Sequence, residues 1–480
     1  MKPRFALPCL LLLLVSCAHR EAVPVDLLVE NITIVDLHDG RLLDHHHVAV
    51  RDQRIVAVAD DREAARFRAT RTIDGKGTYA IPGLWDMHVH FGGGEALVDE
   101  NRDLLPLYVA HGVTTVRDAA GDLSTQVLQW REQIRKGELQ GPTIYTSGPK
   151  IEGKGSIWPG DLEVANETEL RAAFDQLEAM HVDFIKITDS ALSPQLFKAA
   201  LAEGERRGMK TSAHVPMSLM LDDVSAAGLD SIEHMGYALK AGSTREREIA
   251  DASAMGKLSY RDALVQAADS FDHDTALAAY RKLAARGTAI TPTLYGSRVT
   301  AYLDQDDHHD DDYLHYIGPG LKATYAWRVE RAAKDDADAI AARHRVYEMS
   351  AALLPLLQEA GVTILAGTDA GFLNSFDYPG IGLHDELREY VRYGLTPLQA
   401  LQSATLRSAA FLGHEGDSGD IAAGKVADIV LLDRNPLQDI GATRAIHAVV
   451  LKGDYLDRAA LDALLANVRA RVHARETGTR

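Results

Sequence analysis

His88 and His90 stand in the run AIPGLWDMHVHF (80–91) with one residue between them. On a β-strand that spacing turns both imidazoles to one face, and two neutral imidazoles on one face are half of a metal site. A His-x-His pair standing alone is equally well a chance or structural pair. Here four more groups follow short apolar runs of β character: Lys186 in VDFIKI (182–187), His214 in MKTSAH (209–214), His234 in LDSIEH (229–234) and Asp369 in VTILAGTD (362–369). Imidazole and carboxylate suit divalent metals, and a water on such an ion has a pKa near about 7, so hydroxide becomes available at neutral pH.

Bringing these groups together needs one strand for each. Strand candidates run YAIPGLWDM, VTTVRD (113–118), TIYTSG (143–148), FIKI, KTSAH, SIEH, TAITPTL (288–294) and TILAGTD. Helical patterns separate them, such as SPQLFKAALAEGERRG (193–208), where Ser193 can cap and Pro194 opens the first turn. Strictly alternating strands and helices predict an α/β fold, a (β/α)8 TIM barrel over 81–413, with its reacting groups at the carboxyl ends of the strands. The metal-ligand candidates then fall on the first, fourth, fifth, sixth and eighth strands. TPLQALQSATLRSAAFLG (396–413) reads as the last barrel helix. Residues 26–80, with the hairpin-like HVAVRDQRIVAVAD, and 423–455 predict a small β-sandwich domain built from both chain ends; 456–480 reads as a C-terminal helical tail.

In the order and placement of these residues the chain resembles the amidohydrolase superfamily over nearly its whole mature length. The likeness is to the binuclear type, in the imidazolonepropionase-like and Xaa-Pro dipeptidase-like group. GTYAIPGLWDMHVH resembles the superfamily's entry into its first strand, and AGKVADIVLLDRNP (423–436) its return to a small β domain. The resemblance implies two divalent metal ions, with zinc the expected species. His88, His90 and Asp369 would hold one ion, His214 and His234 the other, with a carboxylated Lys186 between them. A lysine ammonium has no lone pair until about pH 10, and carboxylation by CO2 turns it into an anion that can bridge. The plain alternative for Lys186 is an interior lysine reaching for a carboxylate, or one that snorkels. Phe184, Ile185 and Ile187 argue against it, because an unpaired ammonium among them would be costly.

The implied chemistry is hydrolysis of an amide or peptide-like C–N bond in a small molecule by a hydroxide bridging the metals. Asp369 would take the proton and deliver it to the leaving amine, and Tyr237 in EHMGY would help polarise the carbonyl, unless it packs at the rim. Three alternatives stand beside this reading: a lactonase, phosphotriesterase or cyclic-amide hydrolase on the same site; a mononuclear imidazolonepropionase-like or deaminase-type enzyme; and a non-catalytic, surface-anchored binding protein. The full ligand set argues against the last. Trp158, in the Gly-rich loop GPKIEGKGSIWPGD (148–161), is available as an apolar wall. Aminoacyl-proline dipeptidases of this superfamily are expected to carry Gly-His there; Ser156, Ile157 and Trp158 depart from that and predict a preference for bulkier apolar substrates.

The 480 residues suit one barrel with an accessory module. With 69 Asp and Glu against 51 Lys and Arg, a net charge of −18, nucleic acid is an unfavourable partner. Residues 1–17, MKPRFALPCLLLLLVSC, have the basic start, short apolar run and small-residue exit of a secretory signal. LVSC resembles a bacterial lipobox, which would leave a lipid anchor at Cys17 as the one membrane contact, on an outer membrane and facing the periplasm. Cys9 would go with the signal, so no disulfide is expected. The oligomeric state is open, a homo-oligomer included. Other eye-catching residues read more plainly. His45, His46 and His47 suggest a surface turn, DQDDHHDDD (304–312) a solvated loop with a lid as the alternative, and His384 a packed histidine. Arg117 and Asp118, at the end of the second strand, read as an ion pair supporting the barrel mouth, with direct catalysis as the alternative.

Overall fold

The structure, a computed structural model, describes residues 22–119 and 121–478. The expected signal sequence, with Cys9 and the expected anchor site Cys17, lies outside the described residues. Among those described, no helix is long and apolar enough to cross a membrane.

Both chain ends build one sheet. Val23–Val35, Leu42–Arg51, Arg54–Asp60, Phe67–Asp74 and Tyr79–Pro82 join Ile429–Leu432, Ile446–Leu451 and Asp454–Asp457 in an eight-stranded hydrogen-bonded array. Apolar side chains gather there in two clusters, one around Leu27, Val29, Ile32 and Val50, the other around Val25, Leu28 and Ala49. The ends meet in one hydrogen-bonded sheet, as their alternating patterns require. His45, His46 and His47 are not a turn but part of the strand Leu42–Arg51. His47 is buried against Phe67, ring centroids 5.5 Å apart, and burial lowers its pKa.

The expected first barrel strand divides in two. Tyr79–Pro82 stays in the terminal sheet and Leu84–His90 begins the α/β region, with Gly83 at the changeover. A Cβ on Gly83 would lie 2.1 Å from Thr114 Oγ1, so no other residue fits this close approach. Leu84–His90, Val113–Asp118, Thr143–Thr146 and Ala370–Gly371 form a four-stranded parallel sheet. Ile151–Gly153, Leu162–Val164, Ile185–Ile187, Thr211–Ala213, Ser231–Glu233 and Ala289–Thr291 form a six-stranded one, also parallel. The Gly-rich segment 148–161, expected to be all loop, thus supplies the strand Ile151–Gly153.

The segment 363–369, expected as the eighth strand, is held by single backbone bonds rather than a regular ladder. Ile290 N donates to Thr363 O and Leu365 N to Ile290 O, both at 2.9 Å. On its other side Met87 N donates to Ala366 O (2.8 Å) and Asp369 N to His88 O (2.7 Å).

Helices obey their local signals where strands leave them free to. Pro194–Arg207 starts on Ser193, whose hydroxyl accepts from Leu196 N, and ends at Gly208 with φ 67°. The helix expected over 396–413 breaks into Pro397–Ser403 and Leu406–Phe411. The carbonyls of Ser403 and Ala404 accept from Ala366 N and Trp85 N, so strand amides take the partners a continuous helix would have used. Arg458–Thr477 is the C-terminal helix, tied to the body through Arg471 and Arg475 on Asp103.

Candidate metal centre

Period-2 spacing puts Asp86, His88 and His90 on one face of the strand Leu84–His90. His88 Nε2 lies 3.1 Å from His90 Nε2 and 3.3 Å from Asp369 Oδ1; His90 Nε2 is 2.7 Å from the same oxygen. His88, His90 and Asp369 offer ligand atoms all within 4.8 Å of one another, a spacing that could hold a metal ion. His214 Nε2 and His234 Nε2 face each other at 3.1 Å, and the His234 ring centroid is 5.2 Å from that of His88.

The imidazoles are prepared as lone-pair donors. Burial, reinforced by Lys186, lowers His88 to about 3, and burial lowers His234 to about 4 and His214 well below the usual range. His88 Nδ1 donates to Glu233 Oε2 (2.5 Å) and His234 Nδ1 to Thr293 Oγ1 (2.7 Å), which leaves each Nε2 free of a proton and directed inward. Facing nitrogen lone pairs repel unless a cation lies between them, so the donor set fits a divalent ion.

Lys186 fits the same group. It is 1% exposed, and among the described residues its Nζ has no hydrogen-bond partner. Burial brings it down to about 8. A buried amine left unpaired is costly, and a carbamate there would turn an orphaned donor into a ligand. His234 and Asp369 also take left-handed backbone, φ 70° and 73°. Such conformations cost on the order of 1–3 kcal/mol each and place both side chains at the turn out of a strand. Gly371, φ 116°, follows; a Cβ there would stand 2.2 Å from His90 O.

Beneath the six residues lies a buried polar layer that the sequence reading missed. Glu233 accepts from His88, from Arg117 Nη2 (2.8 Å), from Ser231 Oγ (2.8 Å) and from Ser212 Oγ (2.5 Å). Burial pushes its carboxyl up, but Arg117 and His88 overcome this and hold it well below the usual range. Arg117 therefore pairs with Glu233, not with its neighbour Asp118, which accepts from Phe91 N (3.2 Å) and Thr146 Oγ1 (2.9 Å). Asp86 accepts from Thr368 N (2.9 Å) and Thr368 Oγ1 (2.7 Å), fixing the residue before Asp369. Glu233→Gln should weaken divalent-metal affinity by about 10–100-fold, as loss of a carboxylate behind a ligating histidine does elsewhere. Competition with a metallochromic chelator measures it; unchanged affinity would separate Glu233 from the ligand set.

Two neighbouring cavities are lined by these residues. The first, ≈ 100 Å³, is walled by His90, Lys186, His214, His234, Trp158 and Lys150 among others. Trp158 is the wall expected of it, with Lys150 Nζ 5.5 Å above its ring. The second, ≈ 300 Å³, shares His234, Asp369, Arg328 and Asn374 with the first and continues past Leu294, Val346 and Tyr347. Tyr237 is among the lining of neither; it is 4% exposed and packs edge-on to Tyr260, centroids 6.2 Å apart, which gives it the packing position rather than a place at the metal ligands. His384 is packed as expected, its ring nitrogens meeting Thr443 Oγ1 and His111 O at 3.0 Å. The 304–312 segment is largely exposed, but His308 stacks on Phe376 (4.9 Å) and Asp311 accepts from Tyr378 (2.7 Å), beside the turn that carries Asp369.

The amidohydrolase family profile matches residues 79–456. Ochratoxinase of Aspergillus niger is 23% identical over 478 residues, covering 87% of this chain and 84% of that protein. Among solved structures, a bottromycin amidohydrolase superposes with a TM-score of 0.73 at 21% identity, covering 93% of this chain and 90% of its own. A Xaa-Pro dipeptidase with methionine bound in its active site gives 0.64 at 21% identity, covering 90% and 99%.

Proposed function

We propose, since the chain belongs to the amidohydrolase family and is a hydrolase acting on C–N bonds, that it cleaves an amide or peptide-like bond in a small molecule at a two-metal site. The observation that carries this is the convergence of His88, His90 and Asp369 within 4.8 Å, beside the His214–His234 pair and the orphaned Lys186 nitrogen. His88, His90 and Asp369 would hold one ion and His214 and His234 the other, zinc by choice of donors, with carboxylated Lys186 shared between them. When bound, such a pair supplies an activated water at neutral pH and Lewis acidity for a carbonyl oxygen. The same reading takes the parallel sheets as one closed (β/α)8 barrel, supported by the bonds that tie 363–369 to both its neighbours.

The chain's own residues supply the remaining steps. Burial raises the Asp369 carboxyl, but the hydrogen bond and charge of His90 outweigh it, so this carboxylate stays ionised and can accept a proton. The proton it takes from water at Oδ is the one the departing nitrogen needs. Glu233 and Thr293 keep His88 and His234 in the required tautomers, and Trp158 excludes water from one side of the site.

A panel of N-acyl amino acids and dipeptides tests this reading. Turnover of at least one should disappear on chelation and return with added Zn2+. Turnover that survives full metal removal, or a panel left intact while lactones or phosphotriesters are cleaved, would overturn it. The expected location is tested separately: the full-length chain should fractionate with membranes in a Gram-negative host and Cys17→Ser should not. Soluble wild-type protein without a lipid mass shift would refute the anchor.

A further inference from the structure

We infer that Arg328 is the anchor for a free carboxylate on the leaving-amine side of the substrate, so that the preferred substrates are N-acylated amino acids or peptides with an unblocked carboxyl end. This rests on the reading of the site as an amide hydrolase and narrows its substrate class.

Arg328 lines both cavities. Its side chain is 23% exposed, and its Nη2 is 3.9 Å from Asp369 Oδ2. One edge of the guanidinium is already used: Nε donates to Leu373 O (3.1 Å) and Nη2 to Asn374 Oδ1. Those bonds fix the plane of the group, and among the described residues Nη1 makes no protein hydrogen bond. A held guanidinium with free N–H groups in the wall shared by two cavities is the geometry that receives a carboxylate.

The side of the site follows from Asp369. The group that protonates the leaving nitrogen must lie next to it, and Arg328 Nη2 stands 3.9 Å from Asp369 Oδ2, which places the arginine on the amine side of the scissile bond. Asp369 and Arg328 line both cavities, and of the two the ≈ 300 Å³ one has the room and the apolar wall, Leu264, Leu294, Val346 and Tyr347, to take the side chain of the amine product. In a peptide-like substrate the carboxylate of that product is one carbon from the nitrogen, within reach of Arg328. The acyl part is left with the smaller cavity and Trp158. Arg343 also lines the large cavity, but its guanidinium is spent on Asp335, Asp304 and Ala301 O. No other arginine lines either cavity among the described residues.

Two measurements test the anchor. In the first, the metal-replete enzyme is given N-acetyl-phenylalanine and N-acetyl-phenylalaninamide. The wild type should favour the acid by about 100-fold in kcat/KM, chiefly through KM. Arg328→Met should erase that ratio and Arg328→Lys restore part of it, because a point charge replaces the fork. A residue that only supports the 372–374 turn would lower both substrates alike and leave the ratio unchanged, which would overturn the proposal. In the second, calorimetry reads binding of phenylalanine and of phenylalaninamide without turnover. The free acid should bind more tightly to the wild type and equally to Arg328→Met; equal binding to the wild type would also overturn it. Absence of any amide hydrolysis with the acid still bound through Arg328 would count against the proposed activity and leave the anchor standing.

Discussion

Lys186→Ala should lose about 10³-fold or more in kcat/KM, equivalent to ~4 kcal/mol of transition-state stabilisation. On the proposed two-metal reading, the cause is the loss of the ligand that a carboxylated Lys186 would supply to both ions. The fold itself should survive, since the orphaned amine contributes no hydrogen bond and its removal relieves a buried unpaired group. Adding a short-chain carboxylic acid should restore part of the activity by standing in the space of the carbamate. Steady-state kinetics with metal analysis on the same samples decides it. Normal turnover with two metals per chain in Lys186→Ala would show that the lysine is a bystander.

The second large effect is on stability. Arg117→Ala should destabilise the protein by about 3–5 kcal/mol, because Glu233 would be left ionised in the interior without its strongest partner. Arg117 is fully buried, gives Nε to Met87 O at 2.6 Å, and lies 5.0 Å from the Phe184 ring centre, so packing is lost as well. Glu233→Gln in the Arg117→Ala background should recover part of the loss by removing the stranded charge. Urea unfolding of metal-free protein measures both. A loss under about 1 kcal/mol would mean that water or a shifted side chain satisfies Glu233, and that this layer does not hold His88 in place.

What could be read from sequence divides along a physical line. His88, His90, His214, His234, Lys186 and Asp369 could be singled out as candidates because each closes an apolar run, and strand ends converge in an α/β fold. Pro194–Arg207 was legible because Ser193, Pro194 and Gly208 specify both termini locally. Glu233 was not, although it sits beside His234. A carboxylate next to a ligand looks like any polar strand residue until Arg117, from a strand far away in the chain, is seen to meet it. Asp86 carried a signal that could have been used, two residues before His88 on the same strand face. Arg328 carried none. Its place depends on how the 326–332 helix leans over Asn374, a tertiary contact without periodicity. The helix expected over 396–413 failed for the same reason, since Trp85 N and Ala366 N take two of its carbonyls. The histidines at 45–47 misled because alternation in that strand is weak at its exposed start, so that a buried His47 looked like part of a polar turn.

The central claim is that these six side chains hold two divalent ions, and diffraction from zinc-loaded crystals above and below the zinc absorption edge tests it most directly. The account predicts two anomalous peaks, one among His88, His90 and Asp369 and one beside His214 and His234, with continuous density from Lys186 Nζ to a carboxylate between them. A single peak with Lys186 unmodified, or zinc bound away from these residues, would contradict it.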